Sequence, residues 1–189
     1  MTNAKQRIVL APGVTSDDIQ RFAWDLDWNA VDAGDLAADV VVDVWTTVDG
    51  RTEIRSVEDR PIALFYFTVH GDNRDRVIGE IEEACPVWHF EDAVAAMGRA
   101  SSRDEKLVAV YAAALSATSD DRQEEISLLR SLAQDSDPAL RQAVLVATGY
   151  LGWPELISLV EEIGQNDPEE FIRHNSAILL EGFHRFGTD

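Results

Sequence analysis

The chain has 189 residues, 46% hydrophobic and 27% charged, an ordinary globular mix sufficient for one large domain or two small ones. Its net charge of −19, from 35 acidic and 16 basic residues, repels phosphate backbones and anionic membranes and so excludes a nucleic-acid or membrane-surface partner. A single cysteine, Cys85, rules out an intrachain disulfide; with no basic-then-apolar leader and no apolar run near the ~18 residues of a membrane span, the expectation is a cytoplasmic protein.

In chain order, Ile8-Val9-Leu10 reads as a short strand broken by Pro12-Gly13. Thr15 or Ser16 then caps a helix whose first turn holds Asp17 and Asp18, and Ile19, Phe22, Ala23 and Leu26 form its buried stripe. Residues 29–38 are small and acidic and read as a loop. Val40 to Val48 is rich in β-branched residues, and Asp49-Gly50 predicts a type I′ hairpin, with positive φ at both central positions, leading to a returning strand over Arg51 to Val57. The run Ile62 to Val69 is apolar on both faces and is placed as the central strand, covered on both sides. No strand signal follows residue 74. Helices are predicted at 75–85, 90–100, 103–117, 121–134, 138–151, 154–164 and 169–186, with Pro138, Pro154 and Pro168 in or beside first turns.

Two acidic-Pro helix starts repeat in the C-terminal half: Asp137-Pro138-Ala139-Leu140-Arg141, and Asp167-Pro168 followed by Ile172-Arg173. Superposing the two arginines matches Leu140 to Ile172, Leu145 to Ala177 and Ala147 to Leu179, with a fainter copy that sets Leu107 under Arg141. A period of about 20–50 residues marks a solenoid of stacked helix pairs. The segment resembles the HEAT-like repeats first noted in phycobilisome lyases, with Asp-Pro-x-x-Arg-x-Ala at 137–143. That resemblance spans residues 103–186 and implies structural roles for Asp137, Arg141, Asp167 and Arg173, tying neighbouring repeats together. The fold class is therefore α+β: a small N-terminal antiparallel β-sheet with helices over 1–100, followed by an α-helical HEAT-like solenoid over 101–189. Helices 75–100 are expected to cap the stack and join both halves into one rigid body.

Candidate chemistry is sparse. Glu181 and His184 have the spacing of carboxylate metal sites, but a second such pair is missing, so no metal is predicted. Cys85, beside Glu80, Glu82 and Glu83, reads as a buried apolar group rather than a nucleophile. No phosphate loop or nucleophile elbow occurs; no catalytic residue and no cofactor is predicted. The resemblance implies one alternative, a bilin-lyase-type cofactor handler using Tyr111 and Tyr150, which equally fill gaps between helices.

The stronger signal is acidic surface with tryptophan. Residues 22–50 hold Asp25, Asp27, Asp32, Asp35, Asp39, Asp43 and Asp49, and residues 142–172 hold Glu155, Glu161, Glu162, Asp167, Glu169 and Glu170; neither window contains a base. Only two lysines, Lys5 and Lys106, are present, so adaptation of the chain to high salt accounts for the acidity as well. Trp24 and Trp28, four apart, fall on one side of the first helix if it runs to 28, either exposed or packed on a second layer. Trp153 lies at an inter-helix turn and is expected at the surface. The expectation is a non-catalytic interaction protein binding a basic protein partner through Trp24, Trp28, Trp153, Glu161, Glu162, Glu169 and Glu170, as an inhibitor or immunity-type neutraliser of a toxin or nuclease. A scaffold or regulatory subunit, forming a homodimer through Phe183 and Phe186 of the last helix, is the other reading.

Overall fold

The computed structural model describes residues 6–187, the Phe186 side chain excepted. The chain divides into two compact units that meet between Asp92 and Ala93. The first holds strands β1 (Arg7–Leu10), β2 (Asn29–Asp32), β3 (Val40–Thr46), β4 (Thr52–Asp59), β5 (Leu64–Gly71) and β6 (Val87–Trp88), with helices α1 (Ser16–Asp25) and α2 (Arg74–Ala84). The strands form one sheet in the order β2-β3-β4-β5-β1-β6, each neighbouring pair antiparallel.

Alternation along the strands decides which residues meet the helices. Ile8 and Leu10 of β1, Ile54 of β4, and Phe67 and Val69 of β5 share a core with Ile19 and Ala23 of α1 and with Val77, Ile78 and Ile81 of α2. Each such side chain removed from water contributes about 1.5–3 kcal/mol. Thr15 starts α1 with a capping box: its hydroxyl accepts from the Asp18 amide, and the Asp18 carboxylate accepts from the Thr15 amide.

Several expectations are corrected here. β2 and β6 lie where no strand was expected. Both are outermost strands, four and two residues long, and β2 is exposed throughout, so neither carries the buried apolar pattern that marks a strand in sequence. The β3–β4 turn is not type I′: Gly50 alone takes a positive φ, of 67°, and the Gly50 amide donates to the Thr47 carbonyl at 2.8 Å in a wider loop. β5 lies between β4 and β1 as expected, but its faces are unequal: Phe67 and Val69 are buried while Tyr66 and Thr68 are half-buried. Finally, α2 belongs to the sheet unit. Its apolar face, Val77, Ile78 and Ile81, is committed to the sheet.

The second unit is helical. α3 (Phe90–Arg99) crosses the division and sets Met97 against the helical core. α4 (Arg103–Ser116), α5 (Arg122–Leu132), α6 (Pro138–Leu151), α7 (Ile157–Asn166) and α8 (Glu170–Phe186) follow. The segment expected as a helix over 154–164 opens instead with a 3-10 turn, Pro154–Leu156, before α7. Ser102 caps α4, and Asp137 caps α6 just ahead of Pro138. α6 packs against α4, α5 and α8, and α8 packs against α6 and α7. Ala109, Ala112 and Ala113 of α4 and Ala143 and Ala147 of α6 are fully buried, and their small side chains let helices approach closely. Val110, Leu129, Val144, Leu156, Val160 and Ile172 fill the core between them. Among the described residues no helix is long and apolar enough to cross a membrane.

Candidate functional site

A ladder of cations and carboxylates ties the helices of the second unit together. Arg141 of α6 holds Asp167 in a two-bonded fork, Nε to Oδ2 at 2.8 Å and Nη2 to Oδ1 at 3.1 Å. Its Nη1 donates to the carbonyls of Asp135 and Ser136, six and five residues back. Both side chains are nearly sealed, at 8% and 3% exposure. Burial acts to raise the Asp167 carboxyl; the Arg141 fork and the Glu169 amide outweigh it and hold the carboxyl below its ordinary value.

One rung earlier the structural equivalent of Asp167 is Asp135, not Asp137. The Asp135 carboxylate accepts the amide two residues on, that of Asp137, as Asp167 accepts that of Glu169. It also receives the cation of α4, Lys106, at 3.3 Å. Asp137 instead caps α6 by accepting from the Ala139 amide. Arg173 Nη1 donates to the carbonyls of Asp167 and Pro168, again six and five residues back, so nothing is inserted between the repeats: Pro168 stands in the place of Ser136, and the helix keeps its register.

The expected surface residues fare unevenly. Trp24 is 84% exposed, whereas Trp28 is buried and meets Phe67 edge-on at 5.6 Å between centroids. The two part because α1 stops at Asp25. Asp27 takes φ 55°, its amide donates to the Trp24 carbonyl, and the Trp28 amide reaches back to the Ala23 carbonyl. That is a Schellman ending, which reverses the chain and turns Trp28 inward beside Ala23. Trp153 is likewise buried, in the helical core, with the Arg122 guanidinium 4.8 Å above its ring and Arg122 paired to Glu155 at 2.8 Å. Neither Trp28 nor Trp153 is an exposed anchor.

The stretch of sequence around Trp24 holds other exposed apolar side chains that the sequence reading missed. Among the described residues seven large apolar side chains stand exposed, and five of them fall within 22–50: Trp24, Val31, Leu36, Val40 and Val48. This is the window with seven aspartates and no base. Their signal in sequence was weak, since single valines and a leucine in a polar stretch read as loop. β2 is the sheet's edge, and its residues sit one beyond another along β3, with Val31 bulged out between the Ala30–Trp45 and Asp32–Val44 pairs. The chain continues close along β3 past β2. A Cβ on Gly34 would stand 2.7 Å from the Val42 amide nitrogen, and the Gly34 amide donates to Asp43 at 2.9 Å.

Glu161, Glu162, Glu169 and Glu170 are all exposed on α7 and at the start of α8. Glu162 borders a groove of about 330 Å³ floored by Arg141 and Asp167. Glu169 and Glu170 also favour the positive N-terminus of α8, a structural role independent of any partner. These glutamates belong to the helical unit and Trp24 to the sheet unit. Phe183 is half-buried, and the Phe186 side chain lies outside the described residues.

Two buried groups complete the inventory. Burial pushes the Cys85 thiol up to about 12, so burial rather than its glutamate neighbours silences it as a nucleophile. Glu125, in α5, is fully buried, and neither carboxyl oxygen has a hydrogen-bond partner. Glu181 pairs with Arg185 at 2.7 Å rather than with His184. Among the described residues no three of His, Cys, Asp or Glu converge as a metal ion requires.

Residues 91–181 match the family model described as HEAT repeats. The C-terminal half of the chain is a HEAT-repeat region. No curated protein and no solved structure matches the chain.

Proposed function

We propose that this chain, with HEAT repeats in its C-terminal half, is a non-catalytic protein-interaction module whose partner is a basic protein. HEAT stacks supply rigid, extended surfaces for protein partners. The observation that carries the finer reading is the coincidence at 22–50 of five exposed apolar side chains with seven aspartates and no base. Solvated acidity alone does not need exposed tryptophan, valine and leucine among the charges. A cationic face with apolar patches does need both, the apolar groups for affinity and the charges for encounter and register. Such faces occur on nucleases and nucleic-acid-directed toxins, and an inhibitor of immunity type is the role that fits. Glu161, Glu162, Glu169 and Glu170 add to the long-range field that steers the partner.

Affinity capture from the source cytoplasm tests this at ~150 mM and ~1 M salt, where the screening length falls from ~8 to ~3 Å. A basic protein held at low salt and released at high salt is expected. Trp24→Ala should weaken that capture by roughly 10- to 30-fold, as loss of an aromatic anchor does. Because Trp24 is exposed, the same substitution should leave stability within about 0.5 kcal/mol of the parent. Capture indifferent to both salt and Trp24 would contradict the reading.

A further inference from the structure

A second surface, chemically unlike the aspartate face, lies on the outer side of α8. The ladder described above repeats one unit: a cation on one helix, a carboxylate on the loop before the next helix but one. Lys106 meets Asp135, and Arg141 meets Asp167. Arg173 is the third cation in the series. It binds the same two loop carbonyls as Arg141, at the same offsets and through the same Nη1. Among the described residues it makes no ion pair within 4 Å, and no hydrogen bond leaves its Nε or Nη2, the edge with which Arg141 grips Asp167.

The surroundings agree with an unfilled junction. Phe171 and Ile178, seven residues apart on one side of α8, are 49% and 56% exposed, and they are the only large apolar side chains exposed in the helical unit among the described residues. Their counterparts in α6, counted from the arginine, are Ala139 and Val146, both half-buried. Glu181 is paired with Arg185 within α8 and so does not serve Arg173 as a rung. A half-buried guanidinium with a free planar edge selects a carboxylate, which it can hold by two parallel bonds.

We propose that the outer face of α8 docks a helix of a partner protein that carries an aspartate or glutamate in the loop just before it, the carboxylate closing on Arg173 as Asp167 closes on Arg141. Phe171 and Ile178 supply the apolar contact along the incoming helix. The occupant is thus acidic at its start and apolar on one side, a different partner chemistry from that of the aspartate face.

The probe is a synthetic peptide of residues 166–186 of this chain, which natively presents Asp167 to an arginine of this kind. It is titrated into the full-length, nitrogen-15-labelled protein to about 1 mM, since a lone helix pays its ordering entropy on binding. Saturable shifts of α8 amides are expected, weakened at least tenfold by Arg173→Ala in the protein and equally by Asp167→Asn in the peptide. The proposal fails if α8 amides do not shift, or if the shifts survive Arg173→Ala. It also fails if the shifts depend on Arg141 instead, which would mean the peptide exchanges with α8 itself. Concentration-dependent α8 shifts without peptide would overturn it too, showing that a second copy of the chain fills the face.

Discussion

Replacing Arg141 with alanine is expected to destabilise the helical unit by about 3–5 kcal/mol, because it strands a buried carboxylate whose ion-pair partner has gone. Asp167 is 6% exposed as a residue, and its carboxylate takes both bonds of the Arg141 fork. Arg141→Lys should recover less than half of the loss, since an ammonium cannot supply the fork or reach both loop carbonyls at once. The paired replacement Arg141→Met with Asp167→Leu should come close to the parent, because it removes the desolvation of both charges along with their attraction. Arg173→Ala provides the contrast. It breaks two carbonyl contacts but strands no carboxylate, and a cost of about 1 kcal/mol is expected. Urea unfolding followed by far-UV circular dichroism gives all four values. An Arg141→Ala cost no larger than that of Arg173→Ala would show that the fork adds nothing beyond its carbonyl contacts.

Stability should fall as pH rises from about 5 to 8, and Glu125 should be the cause. Burial first, then Asp121 and Glu124, push its carboxyl from the ordinary 4.5 up to about 8. Below the unfolded value both states hold the proton and the group is neutral to the balance. Between the two values the unfolded chain releases the proton while the folded one keeps it, so each pH step favours unfolding. Above the folded value the loss is complete, of order 3–5 kcal/mol. Glu125→Gln should flatten the slope across this window and leave the variant about 2–3 kcal/mol more stable than the parent at pH 8. Glu125→Leu should do the same with no buried polar atom left over. At acid pH the order of events is different. Asp135 and Asp167, held below their ordinary values, contribute stability that is lost as pH falls through their folded values, and Glu125 has no part in that limb. A parent and Glu125→Gln that unfold with the same pH dependence between 5 and 8 would exclude a buried neutral acid here.

What the sequence disclosed and what it concealed divide along physical lines. The start of α6 was legible because caps and prolines act locally: Asp137 with Pro138 sets it by its own chemistry. The antiparallel sheet was legible in β3, β4 and β5, where buried β-branched runs alternate. β2 and β6 were not, because a short outermost strand is held by backbone pairing with a neighbour and carries too little pattern of its own. The site was legible only in part. Aspartates and Trp24 were visible as composition, whereas the fate of Trp28 turned on one residue, Asp27, adopting φ 55°. Trp153 was misplaced because its turn is roofed by Arg122 from a helix some thirty residues away. The proline motif pointed to Asp137, while the carboxylate that bridges helices is Asp135, two residues outside the motif.

The central claim, that the acidic and apolar face at 22–50 receives a basic protein, is most directly tested by site-specific photocrosslinking. A benzophenone side chain replaces Trp24 in one chain and Phe171 in another, and each is irradiated in the source cytoplasm at ~150 mM and ~1 M salt. One covalent adduct to a basic protein is expected from position 24 at low salt, lost at high salt and absent from position 171. The same basic protein captured from position 171 alone, or an adduct at position 24 that is indifferent to salt, would contradict it.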